Sequence, residues 1–110
     1  MVLPGCAEAR VDRHKITEYL LSLSHPGGRT KAEFFMRFGF RAERWEQLAE
    51  ALRAAGTSNP VVAIMESPHG VRYTVDGSMH APDGRTPRVR TVWIIEPGSP
   101  GPRLITAHPA

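Results

Sequence analysis

The run His25-Pro26-Gly27-Gly28-Arg29-Thr30-Lys31 gathers a histidine, an arginine, a threonine and a lysine around a proline–glycine turn. If that turn leads into a helix, its free backbone N–H groups and the positive end of the helix dipole favour an anion. Arg29 and Lys31 add full charges, and His25 adds a side chain whose ordinary titration range spans neutrality. The same residues also suit a plain helix start with solvated side chains.

A second group is Arg88-Val89-Arg90-Thr91-Val92-Trp93-Ile94-Ile95. Strand periodicity places Arg88 and Arg90 on one face with Val92 and Ile94, and Val89, Thr91 and Trp93 on the other. One face must cover a core, which leaves the other to present arginines. The planar guanidinium fork binds two phosphate oxygens at once. The alternative is a half-exposed strand whose arginines pair across the sheet with Asp76 or Glu66. A third group, Leu104-Ile105-Thr106-Ala107-His108, puts Thr106 and His108 on one face of a last strand.

These groups suit metal-free RNA cleavage. That reaction needs an acceptor for the 2′-hydroxyl proton, cations around the pentacovalent phosphorus, and a donor for the leaving oxygen. Tyr73 or Trp93 offers a stacking surface for a base if exposed. Other chemistries fail on pattern. The five histidines, at positions 14, 25, 69, 80 and 108, form no i, i+3 or i, i+4 pair, and Cys6 is the single cysteine, so no metal site is expected. The 27–31 glycine run lacks the GxxxxGK[ST] phosphate-loop pattern, and no GxSxG elbow occurs. No cofactor is expected.

The elements that must position these residues are legible in outline. Ile16, Tyr19, Leu20 and Leu23 recur at helical spacing, predicting a helix from Arg13 to Leu23 capped by Asp12 and stopped by the glycine turn. A second helix is expected over Thr30–Phe38, with Gly39 as its left-handed C-terminal residue. A third is expected over Arg41–Ala55, with Gly56 ending it. After Pro60 the period becomes two. Strands are predicted over Val61–Met65, Gly70–Asp76, Pro87–Ile95 and Arg103–His108, with Pro82-Asp83-Gly84 as a hairpin turn. The expected class is α+β: three N-terminal helices packed on a four-stranded antiparallel meander. Residues 1–11 are expected as a flexible tail before a single domain, 12–110.

The 110 residues, 41% hydrophobic and 23% charged, bound one core and exclude a wholly disordered chain. A net charge of +3 permits a polyanionic partner. The excess lies in the β half, because Arg85 to Arg90 holds three arginines and no acid while Arg41 to Arg53 balances three against three glutamates. No apolar run approaches the roughly 20 residues of a membrane span, and the start lacks the basic and apolar regions of a signal peptide. The cytoplasm is the expected location.

The strings HPGGRTKAEFF, FGF before a helix, GRTPRVRTVWII and RLITAHP, spread from Asp12 to Pro109, resemble a family of small bacterial domains of unknown function. That family in turn is similar to the barnase–EndoU–colicin–RelE superfamily of toxin ribonucleases, with helices on a four-stranded meander. By position, the resemblance implies His25, Lys31, Arg90 and Thr106 as catalytic residues. His25 or His108 would handle protons, Lys31 and Arg90 would stabilise the phosphate, and Thr106 would orient it. Arg29, Arg88, Arg103 and His108 would bind nucleic acid. Families of this type often end in tyrosine where His108 stands. The resemblance implies an RNA substrate, with tRNA as one candidate, and a small neutralising antitoxin or immunity protein with an acidic surface. Two rivals use the same residues: a non-catalytic RNA-binding, immunity or antitoxin module, and an interaction domain whose Arg88–Trp93 strand pairs with another chain.

Overall fold

The change of period after Pro60 marks the boundary between the helical half and the sheet. A computed structural model describes residues 1–110 and shows four strands, β1 (Val61–Ser67), β2 (Gly70–Ser78), β3 (Arg88–Ile95) and β4 (Arg103–Pro109). They form an antiparallel meander in the order β1-β2-β3-β4. Val75, Val89, Thr91, Trp93, Leu104 and Ala107 are buried under the helices, while Arg72, Arg88 and Arg90 stay exposed. The sheet is thus covered on one face, the arrangement that alternating apolar and polar residues dictate.

The helices precede the sheet. An α-helical turn, Arg13–Lys15, runs straight into a π-helical turn, Ile16–Leu20, and the two together are α1. The N–H of Leu21 reaches back five residues to the Ile16 carbonyl at 2.8 Å, a widened turn of the kind often found at functional sites. The helix stops there, short of the expected Leu23. Leu21 is buried in its place and Leu23 is 54% exposed. Asp12 makes no capping hydrogen bond; its carboxylate lies 3.6 Å from Arg10 instead. The second helix, α2, spans Arg29–Arg37 and buries Ala32 and Phe35. Gly39 follows at φ 99, the left-handed position expected for it. A 3-10 turn, Ala42–Arg44, leads into α3, Trp45–Ser58.

Gly56 does not end α3. It lies inside the helix, buried against Trp93, and an added Cβ would sit 2.6 Å from the Trp93 Cε2. The residue is needed for close approach between helix and sheet, not for a left-handed cap. Trp93 is fully buried, and its Nε1–H donates to Thr91 Oγ1 at 2.9 Å, so it offers no stacking surface.

The first eleven residues are packed, contrary to the expected tail. Leu3 is 1% exposed and belongs to the core. Arg10 bridges in parallel to Arg103, donating its N–H to the Pro102 carbonyl at 3.0 Å and accepting from Leu104 N–H at 3.1 Å. Burial of apolar Leu3 and backbone pairing of Arg10 with the otherwise open start of β4 hold the segment down. The strand Arg88–Trp93 is also not free to pair with another chain, because β3 is hydrogen-bonded on both sides. No helix is long and apolar enough to cross a membrane.

Candidate functional site

The turn before α2 folds back on α1 because its glycines permit it. Gly28 is buried so tightly that a Cβ there would come 2.9 Å from the Tyr19 carbonyl carbon and 3.1 Å from its ring. The His25 ring then lies edge-on to Tyr19 with centroids 5.0 Å apart. His25 Nδ1 accepts hydrogen bonds from Gly27 N–H at 2.9 Å and Gly28 N–H at 3.1 Å. In the neutral ring the proton therefore sits on Nε2, as a donor.

These contacts use up the anion site expected of the turn. The amides of Gly27 and Gly28 go to the His25 ring, and the N–H of Arg29 goes to the His25 carbonyl at 3.0 Å. Lys31 Nζ donates to the Gly27 carbonyl at 3.0 Å and lies 5.5 Å above the Tyr19 ring centroid. Lys15 Nζ lies 5.4 Å from the same centroid. One phenol ring thus contacts two ammonium groups and the histidine.

Thr106 enters from β4. A register shift between Val92 and Trp93 leaves Ile105 as an extra residue in the outer strand, and such a bulge re-aims the side chains beside it. Thr106 Oγ1 meets Tyr19 Oη at 3.0 Å. The result is a cleft of about 490 Å³ lined by Tyr19, His25, Ile105 and Thr106, with His14, Lys15 and Glu18 on the α1 side. Glu18 is the one carboxylate among the lining residues. A larger groove of about 550 Å³ lies elsewhere, between α3 and the β2–β3 connection. It holds none of the residues predicted for the site.

The structure therefore gathers His25, Lys31 and Thr106 around Tyr19. Arg90 is held elsewhere: its guanidinium makes two hydrogen bonds of 2.8 Å to the Asp76 carboxylate. That hydrogen-bonded pairing holds the Asp76 carboxyl below its ordinary value and raises the Arg90 guanidinium. This is the cross-strand alternative that the sequence left open. Arg90 is nonetheless opposite His108, and so diagonal to Thr106, a separation of roughly 7–8 Å between such backbone positions. Arg88 is exposed opposite Ser78. Arg103 pairs with Glu96 at 3.1 Å and Arg29 with Glu33 at 3.2 Å. The His108 ring Nδ1 lies 2.9 Å from the Pro109 carbonyl oxygen. No group of three or more histidine, cysteine or acidic side chains is placed to hold a metal.

Sequence reasoning read Tyr19 only as an apolar helix position and passed over Lys15 and Glu18. The local signal was Lys15 four residues before Tyr19, a helical neighbour on the same face. The contact with Thr106 spans 87 residues and has no local signature.

The chain belongs to the family described as Domain of unknown function (DUF6883), whose model matches residues 2–110. Among solved structures, the chain is similar to one from a "Contact-dependent growth inhibition toxin - immunity protein complex from Klebsiella pneumoniae 342". The match has a TM-score of 0.72 and 21% identity, and it covers 96% of each chain. At that identity it establishes a shared fold. No curated protein matches the chain significantly.

Proposed function

We propose that this domain is a metal-independent endoribonuclease of the bacterial toxin type, working in the α1–β4 cleft. The observation that carries the reading is the convergence of His25, Lys31 and Thr106 on Tyr19, from three separate elements. The resemblance to barnase–EndoU–colicin–RelE ribonucleases supports it, as does a shared fold with a structure titled as a toxin–immunity complex.

Roles follow from the atoms presented. With its Nδ1 satisfied by two amides, His25 offers Nε2–H to a non-bridging phosphate oxygen. It is not set up to accept a proton there. Glu18, the carboxylate of the cleft, takes the proton of the 2′-hydroxyl as that oxygen attacks phosphorus. The P–O5′ bond breaks, and the leaving oxygen takes a proton from Lys15 or Lys31. The remaining ammonium groups stabilise the charge on phosphorus, and Thr106, hydrogen-bonded to Tyr19, orients the phosphate. Arg90, Arg88, Arg103, Arg29 and His108 hold flanking phosphates, for which Arg90 exchanges Asp76 for the RNA. The substrate class is RNA, tRNA included, the site of action is the cytoplasm, and a small acidic immunity protein or antitoxin is the neutralising partner.

The test is cleavage of RNA by Glu18→Gln and Lys31→Ala beside wild type. Each substitution is expected to slow cleavage by about 10²–10⁴-fold, the usual contribution of a positioned acid–base group, with the fold intact by circular dichroism. Full activity in both variants overturns the assignment. One observation favours a second reading, a non-catalytic RNA-binding, immunity or antitoxin-like module. Arg90 is held by Asp76 and does not line the cleft, a spread arrangement that a binder tolerates and catalysis at a single phosphate does not. RNA bound by wild type but left intact, under conditions where the fold is confirmed, selects it.

A further inference from the structure

The two edges of the sheet are treated differently. The β4 edge is engaged at its start, where Arg10 bridges to Arg103, donating its N–H to Pro102 and accepting from Leu104. The β1 edge has no neighbouring strand, and only its first residue is engaged, Val61 N–H donating to the Met1 carbonyl at 2.7 Å. In an edge strand every second residue turns its N–H and C=O away from the sheet. Proteins usually protect such an edge with lysine, proline, inward charge or a bulge; β1 has a bulge at its start, between Val61 and Ala63, and pairs in regular register from Ala63 to Ser67. Val61-Val62-Ala63-Ile64-Met65 carries no charge at all, and Glu66 is the only charged residue of the strand.

The exposed apolar surface of the molecule gathers at the same place. Of the large hydrophobic side chains left exposed, Val62 (54%), Ile64 (52%) and Met65 (65%) lie on β1. Met1 and Val2 adjoin it through the Met1–Val61 hydrogen bond. Their exposures correspond to apolar surface on the order of 500 Å² in total, divided between the two faces of the strand because successive residues alternate. That is more than half of the roughly 800 Å² per partner that a stable interface buries.

We infer that β1 is the interface of a two-fold dimer, in which the β1 strands of two copies pair antiparallel and join their sheets into one of eight strands. The occupant follows from three observations. An isologous contact requires a self-complementary surface, and a run of five uncharged apolar residues meets its own reverse with apolar side chains on both faces. Copies carrying +3 each repel, and the edge they approach through has no cation between Val61 and Met65. The strand order places β1 at the far side of the sheet from β4, so the α1–β4 clefts of both copies remain open. The inference is independent of what that cleft does.

The experiment is sedimentation or light scattering of the full chain at roughly 100 µM, a concentration well above the dissociation constant of a micromolar dimer. Wild type is expected at twice the 12.1 kDa of one chain, and Ile64→Lys at that mass itself, with a melting temperature matching that of wild type diluted below its dissociation constant. Single cysteines placed in turn at positions 62, 63, 64 and 65, in a Cys6→Ser background, supply the second measurement. The residue on the two-fold axis faces its own copy at a distance a disulfide spans, about 4.5–5.5 Å between Cα atoms. One of these positions is therefore expected to oxidise to a dimer far faster than a cysteine at the distant Leu23. A wild-type monomer at this concentration overturns the proposal. So does a dimer that survives Ile64→Lys with no preferred crosslinking position, and so does pairing seen only with a different protein.

Discussion

Replacing Gly56 by alanine separates two physical accounts of one residue. In an exposed helix interior the change stabilises by about 1 kcal/mol through helix propensity. Here the new Cβ would lie 2.6 Å from Trp93 Cε2 and 2.7 Å from Nε1, distances that real side chains do not tolerate. Trp93 is fully buried and cannot swing into solvent. Overpacking of this kind costs about 1–3 kcal/mol. Displacing the indole also strains or breaks the 2.9 Å hydrogen bond from Nε1–H to Thr91 Oγ1, and a buried donor left unsatisfied costs about 1–3 kcal/mol more. Set against the propensity gain, the net loss is about 1–5 kcal/mol. For a chain of this length that lowers Tm by roughly 4–20 °C. The assay is thermal and urea unfolding of Gly56→Ala, with indole fluorescence followed in a Trp45→Phe background so that Trp93 alone reports. A melting temperature equal to or above wild type, with unshifted fluorescence, refutes the claim that glycine is there for close packing.

Leu3→Ala tests the packing of the first residues: with Leu3 1% exposed, unfolding should show a loss of about 2–4 kcal/mol, whereas a change within about 0.5 kcal/mol would fit a detached tail. The Asp76–Arg90 pair predicts a pH dependence. Because the folded-state pKa of Asp76 is lowered from 3.8, its contribution is present above the unfolded value and lost as pH falls through the folded one. Urea unfolding should find Asp76→Asn less stable than wild type at neutral pH, with the two converging in strong acid; a gap that stays constant to low pH contradicts the pairing.

Much of the fold was legible because its cause is periodic. Val89, Thr91 and Trp93 alternate with Arg88, Arg90 and Val92, and the strand and its buried face follow directly. The failures came where a residue's role is set from across the molecule. Gly56 reads as a helix stop in isolation and becomes a contact point only once Trp93 is beneath it. Arg10 reads as tail because the β4 residue it pairs with lies some ninety residues away, and Leu3 because nothing local shows the core that buries it. The candidate site divides the same way. The His25–Lys31 turn announced itself by composition, whereas Tyr19, at its centre, looked like any apolar helix position. Arg90 was visible as a cation, but only the strand register showed that Asp76 holds it.

Whether the α1–β4 cleft cleaves RNA without a metal is decided by incubating purified wild type and Lys31→Ala with total RNA and tRNA in excess EDTA, then mapping the product ends. Cleavage by wild type alone is expected, leaving 2′,3′-cyclic phosphate and 5′-hydroxyl ends. RNA left intact by folded wild-type protein, or cleaved equally by both proteins, contradicts it.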